Sequence, residues 1–165
     1  MSLIVIRPFQ LGDEQGIMEA HVASIQKIAS RDYTPEQIEA WSGNRNVNMY
    51  LEARETGEQY WVIDDNGRIG GFAGWVPGRI RGFYMHPDYA ERGLGRKLFE
   101  AAEHDMLTRS EVTICEIDGT LTAKPFYQRM GFSVVEETMY KFPSGVEVPI
   151  VKMVKHYQRQ QEQDK

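Results

Sequence analysis

The stretch Met85-His86-Pro87-Asp88-Tyr89-Ala90-Glu91-Arg92-Gly93-Leu94-Gly95-Arg96-Lys97-Leu98 decides the fold. A β-rich run, Ile80 to Met85, enters it through a His-Pro turn. Past the glycines an apolar period starts at once with Leu94, Leu98, Ala101, Ala102 and Met106, so strand, glycine loop and helix follow one another. The first turn of a helix has unpaired N–H groups and about half a positive charge, and it therefore attracts anions. Gly93 and Gly95 carry no Cβ, which lets a phosphate approach the backbone. Arg92, Arg96 and Lys97 add positive charge at the same end. Basic residues there disfavour the helix on its own, which points to an anion seated among them. A tight turn with no ligand is the competing reading.

Two phosphate loops are excluded. The dinucleotide fingerprint needs a third glycine and, after another strand, an acidic residue about 20 positions on. The triphosphate loop needs Gly-Lys-Ser/Thr, whereas Gly95 is followed by Arg96-Lys97-Leu98.

A second motif lies downstream: Thr120-Leu121-Thr122-Ala123-Lys124-Pro125-Phe126-Tyr127-Gln128-Arg129-Met130-Gly131-Phe132. Thr120 or Thr122 can cap a helix whose first turn tolerates Pro125, and Gly131 suits the left-handed residue that ends it. Phe126 and Met130 are spaced to face the core, and Tyr127 beside them need not be buried.

Together the motifs resemble those of the GCN5-related N-acetyltransferase (GNAT) superfamily. Ala90-Glu91-Arg92-Gly93-Leu94-Gly95 falls on the family's loop Gln/Arg-x-x-Gly-x-Gly/Ala, and Ala123 to Phe132 matches Ala-x-x-Phe-Tyr-x-x-x-Gly-Phe without a gap. Ala90 stands where the family has Gln or Arg, so backbone amides with Arg92 or Arg96 are expected to supply that phosphate contact, and Glu91 to point away. Ile6-Arg7-Pro8 and Asp13 are similar to the family's first strand and helix start. Tyr33-Thr34-Pro35-Glu36-Gln37-Ile38-Glu39-Ala40-Trp41 resembles a smaller bacterial subgroup of acetyltransferases.

The resemblance implies an α+β fold: a mixed, mostly antiparallel twisted sheet with one splayed parallel strand pair and flanking helices. It implies acetyl-CoA as co-substrate, without a metal, and transfer of its acetyl group to a primary amine by direct attack on the thioester. The implied coenzyme contacts are the backbones of Phe83 and Met85, the loop Arg92, Gly93, Leu94, Gly95, Arg96 and Lys97, and Phe126. Tyr127 takes the general-acid position. An alkyl amine of pKa about 10.4 is neutral about once in 2,500 molecules at pH 7, so a base or water relay helps. Glu116 and Asp118 are the candidates, set on one strand face by alternation; solvated or capping carboxylates are the bland alternative. Tyr33 and Trp41 flank the early helix pair, which walls the acceptor pocket in the family. That segment and the last hairpin are expected to close the pocket around a small amine. A protein or peptide N-acetyltransferase and a non-catalytic CoA-binding domain are the alternatives.

Bulk properties agree. A chain of 165 residues makes one domain, read as 1–155 with a polar, frayed tail at 156–165. A formal net charge of −5 argues against bulk nucleic-acid affinity but leaves room for a local anion site. No run is long and apolar enough to span a membrane, and the first residues lack the charged region and cleavage site of a secretion signal. The expected location is cytoplasmic. The single cysteine, Cys115, lies in a β-branched run and reads as core; the histidines show no metal-ligand spacing.

The remaining elements follow from local cues. Strands are expected over Leu3–Phe9, Tyr60–Asp64, Arg68–Val76, Arg79–His86 and Glu111–Asp118, with a last hairpin, Ser133–Phe142 and Val146–Val154. Asn66-Gly67 marks a hairpin, and Thr34-Pro35-Glu36-Gln37 is a capping box. Asp13 opens a helix to about Ile28, and Val47 to Glu55 adds a further helical turn. The last strands could pair across a homodimer.

Overall fold

The computed structural model describes residues 3–158. The strands are β1 (Ile4–Pro8), β2 (Gln59–Asp65), β3 (Arg68–Val76), β4 (Arg79–Met85), β5 (Ile114–Gly119), β6 (Ser133–Lys141) and β7 (Glu147–His156). They form one sheet in the order β1-β2-β3-β4-β5-β7-β6. Every neighbouring pair is antiparallel except β4 and β5, which run parallel. The helices are α1 (Glu14–Lys27), α2 (Pro35–Ser42), α3 (Asn48–Glu55), α4 (Leu94–Arg109) and α5 (Lys124–Arg129). A parallel neighbour needs a crossover, and α4 is that crossover.

Period-two alternation divides the core between the two sheet faces. On β2, Ile63 packs with Leu98, Phe99, Ala102 and Met106 of α4, whereas Tyr60 and Val62 pack with Ile17 of α1 and Tyr50 of α3. Covered on both faces, β3 is buried from Ile69 to Trp75.

Local chemistry sets the turns. Asn66 and Gly67 adopt φ of 51° and 96°, and Asp64 accepts a hydrogen bond from Gly67 N at 2.7 Å. The Thr34–Gln37 capping box is formed in both directions, at 3.2 and 3.0 Å. Thr120 rather than Thr122 caps the turn before α5, accepting from Ala123 N at 2.9 Å. Asp13 precedes α1 without capping it, because its carboxylate takes the two-pronged Arg7 guanidinium at 2.8 and 3.0 Å and Gln10 N at 2.8 Å.

Two expected boundaries move. β5 begins at Ile114, later than the β-branched run suggests. β7 continues to His156, and Tyr157 beyond it donates N–H to Thr113 O at 2.7 Å and O–H to Glu103 at 2.6 Å. The expected fraying therefore does not begin at His156, and residues 159–165 lie outside the described residues. β6 is an edge strand that exposes Val135, Met139 and Tyr140. No described helix is long and apolar enough to cross a membrane.

Candidate active site

The site begins where two neighbouring strands part. β4 and β5 pair only through Arg79 opposite Glu116 and Ile80 opposite Ile117. On the other edge of β4, Gly82 pairs with Gly74 but Ile80 pairs with Trp75, so Arg81 is the extra residue of a bulge. Bulge and parting coincide. Farther on, His86 N–H donates to Gly70 O of β3 at 2.9 Å. Alternation then turns the backbone groups of Met85 and Phe83 toward the opposite, open edge.

A cavity of about 600 Å³ fills this opening. Its wall includes Phe83, Met85, Gly93, Gly95, Arg96 and Phe126 among the residues named from sequence. Leu94 turns instead into the core under α4. Arg92 lies over the Tyr89 ring at 5.3 Å, and neither it nor Lys97 lines the cavity. Glu91, expected to point away, is part of the wall. Sequence reading missed Lys27, Arg31, Arg81 and Arg129, which with Arg96 give the wall five basic side chains against the carboxylates of Glu91 and Asp118. Lys27 and Arg129 occupy the last turns of α1 and α5, ordinary positions for basic residues, so their types alone carry no sign of a site.

The loop before α4 is shaped for an anion. Glu91 and Gly93 both have positive φ, 60° and 75°, and curl the chain into the helix. No side chain caps the first turn of α4, and no acidic residue stands in it. A Cβ on Gly95 would meet Phe83 at 3.5 Å and Met85 at 3.7 Å, ordinary contact distances. Packing within the chain therefore leaves room for a Cβ at position 95.

Tyr127 departs from expectation. It is 4% exposed and the only buried residue of α5, with Phe126 and Met130 partly exposed beside it. Its ring lies against Gly119 and lines the cavity, while Phe126 stacks on Phe83 with centroids 5.0 Å apart. Burial pushes the Tyr127 phenol well above its ordinary pKa and keeps it protonated.

Glu116 and Asp118 share one face of β5, as alternation requires, and both pair with Arg79, at 2.9 and 3.3 Å. Both are exposed; Asp118 reaches the cavity wall and Glu116 does not. Asp118 spends its carboxylate on Arg79 and does not cap the following turn. Tyr33 and Trp41 meet edge to face at 5.2 Å, and neither lines the cavity. Tyr33 donates to Pro149 O at 2.7 Å and accepts from Leu121 N at 3.0 Å, joining the α1–α2 segment to β7 and to the loop before α5. Trp41 packs on Phe142. These two aromatics thus stand behind the site and hold its parts together.

A second cavity, about 460 Å³, shares Arg81, Gly82 and Tyr84 with the first. It is lined on the α1 and α3 side by His21, Arg45 and Tyr50, and by Glu58 and Tyr60 at the start of β2. Glu58 is 7% exposed and accepts from the Tyr60 hydroxyl at 3.0 Å. Burial raises the pKa of its carboxyl above the usual range. Among the described residues no cluster of His, Cys, Asp and Glu is arranged to hold a metal ion.

The chain is similar to known proteins in sequence and in fold. The acetyltransferase (GNAT) domain family matches residues 29–156. The uncharacterized N-acetyltransferase YafP of Escherichia coli (strain K12) is 31% identical over 137 residues, covering 83% of this chain and 86% of that protein. A GCN5-related N-acetyltransferase structure from Rhodopseudomonas palustris superposes with a TM-score of 0.84 at 28% identity, over 94% of this chain and 97% of that one. The PaiA N-acetyltransferase of Thermoplasma acidophilum, solved in complex with coenzyme A, shares the fold at a TM-score of 0.71 and 20% identity, over 94% and 99% of the two chains. The same holds for yncA of Salmonella typhimurium, solved with its cofactor acetyl-CoA, at a TM-score of 0.70 and 18% identity over 98% of each chain. With the family match spanning most of its length, this chain belongs to the GNAT acetyltransferases, a family of acyltransferase enzymes.

Proposed function

We propose that this protein transfers the acetyl group of acetyl-CoA to the primary amine of a small molecule. One observation carries the reading: a single cavity joins an uncapped helix N-terminus, an open strand edge and a buried tyrosine. Each matches one part of the coenzyme. The pyrophosphate suits the first-turn amides of α4, where an anion complements the helix dipole. Basic side chains outnumber carboxylates in this wall, although the whole chain carries a formal charge of −5. Amide groups of the pantetheine arm suit the outward-facing backbone of Phe83 and Met85. Two relatives of the same fold were solved with coenzyme A or acetyl-CoA, which supports this assignment.

Anchoring the coenzyme at its phosphates holds the thioester in place for attack, so remote binding energy replaces a chance encounter. The amine nitrogen forms a bond to the carbonyl carbon, and the carbon–sulfur bond breaks. Tyr127 hydrogen-bonds the departing sulfur and gives it a proton, which a proton from the acylated nitrogen replaces. In the same dry setting a thiolate is also poorly solvated, which favours its protonation. A neutral amine requires one further proton to leave the incoming ammonium. Asp118, at the cavity wall, can relay it through water once Arg79 releases its carboxylate.

The test is titration with coenzyme A by calorimetry, together with free-thiol release from acetyl-CoA over a panel of small amines and peptides. Coenzyme binding with amine-dependent thiol release is expected, faster with small amines. Absence of coenzyme binding would overturn the reading, and faster turnover of peptides would overturn the acceptor class.

A further inference from the structure

The second cavity has a charge pattern that coenzyme binding does not explain. Two guanidiniums, Arg45 and Arg81, and two carboxylates, Glu52 and Glu58, line it. None of the four makes an ion pair within 4 Å among the described residues. Of these, Glu58 is buried, Arg45 is half-buried, and Arg81 and Glu52 are exposed. Here both signs remain available to something that enters.

One side of the wall is built from His21, Tyr50 and Arg45. The Tyr50 hydroxyl lies 2.9 Å from His21 Nδ1. Nε2 and Arg45 Nε are both buried without a partner. Burial, with the positive charge of Arg45 next in importance, holds the His21 pKa well below its usual value, so the ring adds no charge. The Arg45 guanidinium places a positive charge on this side of the cavity, which favours an oxyanion there.

Glu58 lies on the other side, next to the reaction centre. A Cβ on Gly74 would stand 2.5 Å from Glu58 Oε1, so the carboxylate occupies the space this glycine leaves. Gly74 pairs with Gly82, directly beside the Arg81 bulge where the strands part. Gly82, Arg81 and Tyr84 border both cavities, so a group at Glu58 is within reach of the opening.

We propose that the second cavity seats the acceptor and that the acceptor is a zwitterion, a small primary amine carrying a carboxylate or phosphate whose oxyanion lies against Arg45 while its nitrogen faces Glu58. The proposal rests on the acetyl-CoA reading above. Within it, Glu58 takes the place of the Asp118 relay: it accepts a proton from the ammonium and later returns it to solvent. The neutral nitrogen then bonds to the acetyl carbon as the carbon–sulfur bond breaks. The net change is ammonium plus thioester to amide plus thiol plus one proton. Burial suits Glu58 to this exchange, because a carboxyl with a raised pKa is a stronger base when ionised. A volume near 460 Å³ fits a molecule of amino-acid size.

The experiment compares L-amino acids and aminoalkyl phosphates with their methyl esters, amides and matched alkylamines. Thiol release should give kcat/KM roughly 10- to 100-fold higher for the zwitterions, the value of a charge-assisted contact. Arg45→Met should abolish that preference by raising the acceptor KM, with the heat of coenzyme A binding unchanged. Glu58→Gln should lower kcat and leave coenzyme affinity unchanged, whereas a merely structural role would also reduce thermal stability and coenzyme affinity. Binding of the same zwitterions without coenzyme, weakened in Arg45→Met, tests the cavity apart from turnover. Coenzyme binding with equal turnover of neutral amines would overturn the zwitterion assignment alone. Zwitterion binding without coenzyme binding would overturn the acetyl-CoA reading instead. Failure of every zwitterion to bind or react would overturn the proposal.

Discussion

Gly119 and Tyr127 fit against each other so closely that a Cβ on Gly119 would stand 2.9 Å from Tyr127 Cε2. The last residue of β5 thereby sets the position of the ring that lines the coenzyme cavity. Gly119→Ala must push this ring aside. The expected result is a kcat reduced at least as much as in Tyr127→Phe, for which a loss of about 10- to 1,000-fold is expected with a smaller change in acetyl-CoA KM. Steady-state kinetics of the two variants and their double mutant check this. A double mutant no worse than either single one shows that Gly119 acts through Tyr127.

Gly93 and Gly95 are glycines for different reasons. Gly93 has φ of 75° and a Cβ there would meet nothing within 4 Å, so its constraint is backbone conformation. Gly93→Ala should cost about 1–2 kcal/mol of stability. At Gly95 the backbone is helical and the chain has room for a Cβ. Gly95→Ala should therefore leave stability unchanged or slightly raised and increase the acetyl-CoA KM. Urea titration and kinetics separate the two. Equal loss of stability at both positions would show that Gly95 is also a packing residue.

Tyr33 joins three segments through one hydroxyl, donating to Pro149 O and accepting from Leu121 N. Tyr33→Phe leaves both backbone groups without this partner. A stability loss of about 1–3 kcal/mol is expected. Because Leu121 belongs to the loop leading into α5, hydrogen exchange at residues 120–124 should also quicken. Unchanged exchange there would mean that the loop is held by Thr120 and its neighbours alone.

The Arg7 cluster carries an acid dependence. Asp64 has its pKa held below 3.8, first by the hydrogen bond from Gly67 N and then by Arg7. A depressed folded pKa means that this carboxylate stabilises the fold above its unfolded pKa, and that the contribution disappears as pH falls through the folded value. The stability gap between the natural protein and Asp64→Asn should be full at pH 7 and shrink below about pH 4. Urea unfolding at several pH values measures the gap. A gap that widens on acidification would reverse the assigned sign.

What the sequence alone determined is local. The Thr34–Gln37 capping box, the Asn66-Gly67 turn, the positive-φ Gly131 and the alternation of Glu116 and Asp118 were all legible, because each depends on residues a few positions apart. The motif pair from Ala90 and from Ala123 was legible for the same reason, and it led to the family and the sheet. Folding decided which residues share a wall. His21, Arg45, Glu58 and Arg81 come from four separate segments, and Tyr127 is buried only because β5 and α4 close around it. No spacing encodes such meetings. They arise when amphipathic faces bury against one sheet and two strands part at a bulge, and the charges left unpaired there become visible only in three dimensions.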